Sequence, residues 1–335
     1  MKIKARKPKA FPGFSILELL VAMSVLALLV MLAAAMINSI QSVWKSTSAR
    51  SEQYRAARQG LETIASRLSQ ATLNPYWVVT TNGNGQPIRY ERQSDLRLIS
   101  GRAPDLTGLA QQGGAIFFQA PTGYSTNSSS RLDAALNTWG YFVEYGDDAA
   151  HRPSFLTSVG VQPRNRFRLM EFLDPCDNLQ VFQVTSGNPT YTNMTWFSTP
   201  LGTAENRRVL AENIVAIVML PRLSSTEDPT GTALAPGFSY DSTATRSDEK
   251  VNPRHQLPPI VDLAVVAIDE NSARRIAWGS SPPDFGTSAL FQSPSEMEND
   301  LETLRSNLEA RGLSARVFRT SVPIAAARWS VEQKN

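Results

Sequence analysis

The sequence predicts an α+β fold, in which a long N-terminal helix packs on a mainly antiparallel β-sheet and a late helix and strand close the chain. Three observations carry this expectation. A mostly apolar run from Leu19 to Ile37 leads into a second stretch with helical apolar spacing. After Pro75 the texture changes to short β-like runs separated by turn residues. Near the end, helical spacing returns at Met297, Leu301, Leu304 and Leu308.

The elements follow in order. Residues 1–13 form a basic leader with Lys2, Lys4, Arg6, Lys7 and Lys9 and no acidic residue. Residues 14–38 read as a transmembrane helix, because a run of this length at ~1.5 Å rise per residue crosses a ~30 Å hydrocarbon core. Residues 39–73 read as its amphipathic extension. The serine-rich start, Ser39 to Ser51, is locally weak in helix propensity, with Trp44 at the expected interface. Tyr54, Ala57, Leu61, Ile64, Ala65 and Leu68 then mark an apolar face, with Arg55, Arg58, Glu62 and Arg67 between them. Asn74-Pro75 ends the helix at about Thr72, since a residue before proline disfavours helical geometry.

Residues 74–335 form a β-rich globular domain in this reading. Strands are predicted at Tyr76–Thr80, Leu96–Ser100, Ala115–Gln119, Tyr141–Tyr145, Arg166–Phe172, Ile214–Leu220 and Ile260–Ile268, and Asn82-Gly83-Asn84-Gly85 is a turn signal. The last two strands are nearly unbroken in valine and isoleucine, the pattern of central strands covered on both faces. Residues 121–130 and 224–253 are polar; the longer stretch has no apolar period and reads as a flexible loop. Ser293 and Glu296 have capping-box spacing around Pro294, Gly312 supplies a C-cap, and Ala315–Ile324 is a closing strand.

Composition excludes several classes. The 335 residues carry a formal net charge of +3, but the leader holds five of the 33 basic residues. Without it, 28 basic residues face 30 acidic ones, which is no footprint for nucleic acid. The single cysteine, Cys176, rules out an intrachain disulfide and reads as a small buried apolar residue. His151 and His255 stand far apart without a metal-ligand pattern, so neither a metal nor another cofactor is expected. There is no nucleophile elbow, phosphate-binding glycine loop or His-Glu-x-x-His, and the chain is not expected to be an enzyme. Asp147-Asp148 near His151 reads as a solvated turn, and Asp241, Asp248 and Glu249 lack EF-hand spacing for calcium. Asn127 and Asn193 match short glycosylation sequons. Trp139, Tyr141, Phe142 and Tyr145 read as core first and as a recognition surface second.

Glu18 is the anomaly. A carboxylate at the start of a membrane span costs a few kcal/mol unless something pairs with it. A cut after Gly13 would create a charged amine at Phe14, one helical turn away, and in staggered parallel helices the Glu18 of one subunit can meet the Phe14 amine of its neighbour. Two other readings of the N-terminus compete: a secretory signal cut after Ala33-Ala34-Ala35, and an uncleaved anchor that leaves Glu18 without a reason.

The stretch Gly13-Phe14-Ser15-Ile16-Leu17-Glu18-Leu19-Leu20-Val21-Ala22, behind a basic leader and before an apolar span, resembles the class III signal of type IV pilins and type II secretion pseudopilins. The resemblance implies that a prepilin peptidase cleaves after Gly13, that Phe14 is N-methylated and that Glu18 serves assembly with other pilin-like subunits. More loosely, Trp139 to Tyr145, Arg168 to Phe172 and the ending from Arg319 through Ser330 resemble the pilin-like cassette protein C family of Verrucomicrobia-type bacteria. The order of elements, with Leu257 to Leu263, resembles minor pseudopilin J. The function implied is a minor-pseudopilin-type subunit of a type IV pilus or type II secretion-like fibre. It would sit in the bacterial inner membrane as a single-pass protein, with a cytoplasmic N-terminus, a periplasmic domain and a secreted substrate as candidate cargo. The alternative is a membrane-anchored periplasmic hydrolase or polymer-binding module that uses the signal for delivery.

Overall fold

The computed structural model describes residues 15–108, 113–126, 134–149, 152–185, 188–189, 192–275 and 279–331. The chain divides into two units, Met1–Ala49 and Arg50–Asn335. Helix α1 spans Ile16–Leu68 and remains helical through the serine-rich segment. Ser24 and Ser42 turn their hydroxyls back to the carbonyls of Val21 and Ser39 at 2.8 Å, which leaves the helical ladder intact. The helix ends four residues earlier than proline placement predicts. Its last bonds tighten to a 3₁₀ pattern at Gln70 and Ala71, and the Thr72 N–H leaves for the Gln119 carbonyl at 2.9 Å.

The second unit is built on two larger antiparallel sheets, a short two-stranded pairing of Val184–Thr185 with Asn188–Pro189, and a separate hairpin. The hairpin joins β1 (Tyr76–Thr81) to β2 (Pro87–Gln93). Strands β3 (Ile99–Arg102), β4 (Gly114–Ala120), β5 (Asn137–Gly146) and β6 (Arg166–Asp174) follow. A short helix, α2 (Thr195–Leu201), precedes β7 (Arg207–Glu212) and β8 (Ile214–Arg222). Then come β9 (Tyr240–Asp241), β10 (Ile260–Ile268), α3 (Glu270–Arg275), α4 (Met297–Ala310) and β11 (Ala315–Pro323). The large sheet has the order β9-β3-β4-β5-β6-β7 and the small one β8-β10-β11.

Asn213 is where the chain leaves one sheet for the other. Its φ of +57° is a left-handed conformation that asparagine tolerates better than most residues. Its N–H bonds the Phe167 carbonyl at 2.7 Å, and its carbonyl accepts from Ile268 N–H at 3.0 Å. Its side-chain amide donates to Glu270 at 2.7 Å, and Glu270 also takes a two-pronged bond from Arg166.

The aromatic core lies on one face of the large sheet. Phe117 stacks on Phe197 of α2 at 4.0 Å between centroids and meets Phe172 edge-on at 5.9 Å. Its register partner across the ladder is Gly140, where a Cβ would lie 2.3 Å from the Phe117 ring. Only glycine leaves room for that ring to cover the backbone. On the other face the residues of α1 from Tyr54 onward dock. Ala57, Leu61, Ile64 and Leu68 are buried, and Gly60 lets the helix approach so closely that an added Cβ would stand 3.3 Å from Leu169.

Several sequence-based expectations need correction. The 224–253 segment is packed, not loose: Leu234, Ala235, Phe238, Tyr240 and Ser242 are buried, and Asp228 accepts backbone N–H bonds from Thr230 and Ala233. Widely spaced apolar anchors and Asx turns hold it, so no apolar period shows in the sequence. β10 is a central strand, but β8 is an edge of the small sheet by hydrogen bonding and owes its burial to packing across the large one. The capping box at Ser293 and Glu296 does not form. A 3₁₀ turn over Pro294–Glu296 delays α4 by one turn, Ser293 bonds Ser295, and Glu296 accepts from Asn299. The predicted strand Leu96–Ser100 starts only at Ile99, because Leu96 and Arg97 N–H groups bond the side chains of Ser94 and Gln119. Cys176 is partly exposed, not buried. The C-cap at Gly312 forms as expected, with Leu313 N–H reaching the Leu308 carbonyl at 3.0 Å.

Candidate functional site at the start of the apolar helix

Of the predicted site residues, Gly13 and Phe14 lie outside the described residues, and Glu18 is inside them. Ser15 is the residue before α1. Its hydroxyl accepts the Glu18 N–H at 3.2 Å, and the Glu18 carboxylate accepts the Ser15 N–H at 3.0 Å through Oε2. This is a reciprocal capping box, which satisfies two N–H groups that a helix start leaves open. It also sets a negative charge at the positive end of the helix dipole. The sequence reading pairs Glu18 with a neighbour's amine and misses this local role, which a serine three residues before a glutamate signals.

Beyond that cap, Ile16–Trp44 is a helical stretch of 29 residues, long and apolar enough to cross a membrane. Glu18 is its one charged residue. At ~1.5 Å per residue such a helix is long enough to cross a membrane. It is consistent with a single-pass anchor.

Other candidates resolve into structural roles. Asp147 accepts the Ala149 N–H within a turn and Asp148 the Arg164 N–H from farther along the chain, so both have structural partners; His151 lies outside the described residues. Asp241 is held by Arg97 and by Thr243, and Asp248 caps a turn at Lys250, so these two carboxylates serve separate local contacts. Among the described residues, no group of three His, Cys, Asp or Glu side chains can hold a metal ion. Asn193 uses its side-chain carbonyl to cap Thr195, and Asn127 is outside the described residues. Trp139, Tyr141 and Phe142 are core, and the Tyr145 hydroxyl donates to the Gly279 carbonyl. His255 is half-buried, and burial and the nearby Arg254 and Arg92 hold its imidazole below the usual range. A cavity of about 240 Å³ opens between the Ile217–Met219 edge of β8, Phe238 and Phe291, with Arg102 and Asp284 in its lining; neither histidine nor cysteine lines it.

Arg67 is a residue whose role the helical pattern concealed. It faces the sheet, with its guanidinium carbon 3.8 Å from the Trp139 ring centroid and its Nη1 paired with buried Glu171. The same nitrogen donates to the Tyr141 hydroxyl at 3.2 Å, which in turn lies 3.4 Å from Glu171. Burial, followed by the Glu171 charge, pushes the Tyr141 hydroxyl well above its ordinary value.

Two carboxylates give the domain opposite pH responses. Burial of Glu270 is outweighed by hydrogen bonds from Arg166, Arg274 and Asn213, which pull it down to about 2. Its contribution is therefore present above the unfolded value and lost as pH falls towards 2. Asp174 is buried with one backbone bond from Gln180, and burial pushes it up to about 6. The folded state holds that proton more tightly, so its stability declines as pH rises from about 4 to about 6. Asp174→Asn keeps an acceptor for Gln180 and removes the ionisation. Urea titrations are expected to show it more stable than the parent at pH 7, by about 1–3 kcal/mol, with the difference shrinking towards pH 4.

Comparison with family models, with curated proteins and with solved structures gives no match.

Proposed function

We propose that this chain is a pilin-like subunit that works by assembly. A prepilin peptidase cuts between Gly13 and Phe14, the Phe14 amine is methylated, and α1 packs with the helices of other pilin-like chains in the bacterial inner membrane. The basic leader keeps the N-terminus in the cytoplasm and sends the β-rich domain to the periplasm. The observation that supports the reading is Glu18, the one charged residue in the apolar stretch Ile16–Trp44; the proposal pairs it with the Phe14 amine of a neighbouring subunit. The Ser15 cap is compatible with that role. Its N–H belongs to a peptide bond before and after cleavage, and it occupies Oε2, which leaves Oε1 for the amine. The size of the domain, with long packed segments such as 224–253, favours a minor subunit over the repeating one, because a bulky head restricts close stacking.

Mass spectrometry of the mature N-terminus tests the reading. N-methylated Phe14 is the expected result. A start at Met36 would make the chain an ordinary secreted protein, and an intact Met1 a plain anchor; either overturns the proposal.

A further inference from the structure

The connection from β5 to β6 leaves the large sheet at the end where α1 joins it. Gln53 donates to the Glu212 carbonyl and accepts from Asn213, whose N–H bonds Phe167 at the start of β6. Further along, Gly60 lies against Leu169, and Arg67 pairs with Glu171. The docked part of α1 thus runs the same way as β6, and the residues just before Arg166 belong to the pole at which the helix arrives. Gln53 follows Trp44 by nine residues, a tether of about 30 Å at full extension.

This connection carries three open apolar side chains: Phe155 is 61% exposed, Val159 68% and Val161 42%. Phe155 opens a single helical turn, Phe155–Ser158, which sets Val159 on its face. From Pro153 to Pro163 there is no charged residue, and Arg152 and Arg164 bound the stretch. Asp147 and Asp148 stay at the stem, where Asp148 accepts the Arg164 N–H at 2.9 Å. The backbone of the apex closes on itself. The N–H groups of Leu156, Thr157, Val159, Gly160 and Val161 bond the carbonyls of Pro153, Ser154, Phe155, Thr157 and Leu156 at 3.0–3.1 Å.

We propose that this apex is a membrane contact, which dips into the lipid interface and holds the domain against the bilayer. The proposal rests on Ile16–Trp44 being a membrane anchor, and on no step of cleavage or assembly. Lipid is the occupant because the tether keeps this pole within reach of the bilayer that the anchor enters. The chemistry agrees. The hydrocarbon boundary rejects carboxylates and unpaired backbone donors; the apex has no carboxylate and keeps those five donors paired. Arg164 is exposed at its edge, where a guanidinium can meet headgroup phosphate. Three apolar side chains would hold a free protein only weakly. On an anchored chain the encounter is intramolecular, so a shallow insertion of about 5–10 Å suffices.

The test uses the full chain reconstituted in liposomes, with Cys176→Ser and a bimane label on one introduced cysteine. Flotation with the liposomes reads the anchor, and quenching by lipid brominated in the upper acyl chain reads the loop. The label at Val159→Cys is expected to lose roughly half of its fluorescence to the brominated lipid. The label at Asn178→Cys, exposed beyond the far end of β6, is expected to lose less than about a tenth. Adding Phe155→Ser and Val161→Ser is expected to bring the Val159→Cys quenching down at least threefold, with the near-ultraviolet circular dichroism of the domain unchanged. Flotation with equal quenching at the two positions, or with none at Val159→Cys, would overturn the contact and leave the anchor standing. Shielding of Val159→Cys from aqueous iodide without quenching by lipid would overturn it too, and assign the apex to a protein partner. Loss of flotation would overturn anchor and contact together. The mass of the mature N-terminus reports on the assembly reading separately.

Discussion

Arg67→Leu is expected to be the most destabilising single change on the helix–sheet face, at about 3 kcal/mol in urea or thermal unfolding. Removing one partner of a buried ion pair costs about 3–5 kcal/mol, because the other is left as an uncompensated charge away from water. Here the stranded group is Glu171, whose side chain is 7% exposed. The lower end of the range applies because Arg67 itself is 28% exposed and its pair is partly screened. The loss also removes the guanidinium from the Trp139 ring and leaves the Tyr141 hydroxyl with Glu171 alone. The double variant Arg67→Leu with Glu171→Leu distinguishes charge from packing: with no stranded carboxylate, it is expected to regain more than half of the loss. A single-variant effect below about 1 kcal/mol would show that water reaches Glu171 and that the network contributes little.

Glu18→Ala carries the largest functional effect. The assembly proposal expects loss of the subunit from isolated fibres, while cleavage and methylation at Phe14 continue. Glu18→Gln separates the two jobs of this side chain. An amide oxygen still accepts the Ser15 N–H, so the capping box survives at close to its ordinary worth of about 1 kcal/mol. The negative charge is gone, and the pairing with a neighbour's amine goes with it. Equal loss in Gln and Ala variants assigns the defect to charge. Full incorporation of the Gln variant would assign Glu18 to helix capping alone and remove the principal support for assembly through α1.

The legible parts of the fold were those written in a period. Ala57, Leu61, Ile64 and Leu68 of α1, the four buried residues of α4 and the valine- and isoleucine-rich strands β8 and β10 follow from spacing and composition, as their burial confirms. Charged strands were not legible. β2, with Arg89, Glu91 and Arg92, and β7, with Arg207 and Arg208, form through ladder bonds to partner strands that no single segment displays. The capping-box pattern shows the same limit from both sides. It is realised at Ser15 and Glu18, where nothing competes, and absent at Ser293 and Glu296, where Pro294 opens a 3₁₀ turn and Asn299 captures the glutamate. Arg67 sits at a position that helical spacing assigns to solvent; the buried carboxylate that turns it inward lies 104 residues away.

Asn213 has a kinetic consequence. Its side-chain partners stand 47, 57 and 160 residues distant, in Arg166, Glu270 and Gln53. No local encounter can assemble such a junction, since each bond closes a long loop whose entropy must be met before the bond returns anything. The corner is therefore expected to close late in folding, after both sheets exist. A chain in which that clasp has not shut leaves the apolar face of β8 uncovered, and such a surface favours association between chains.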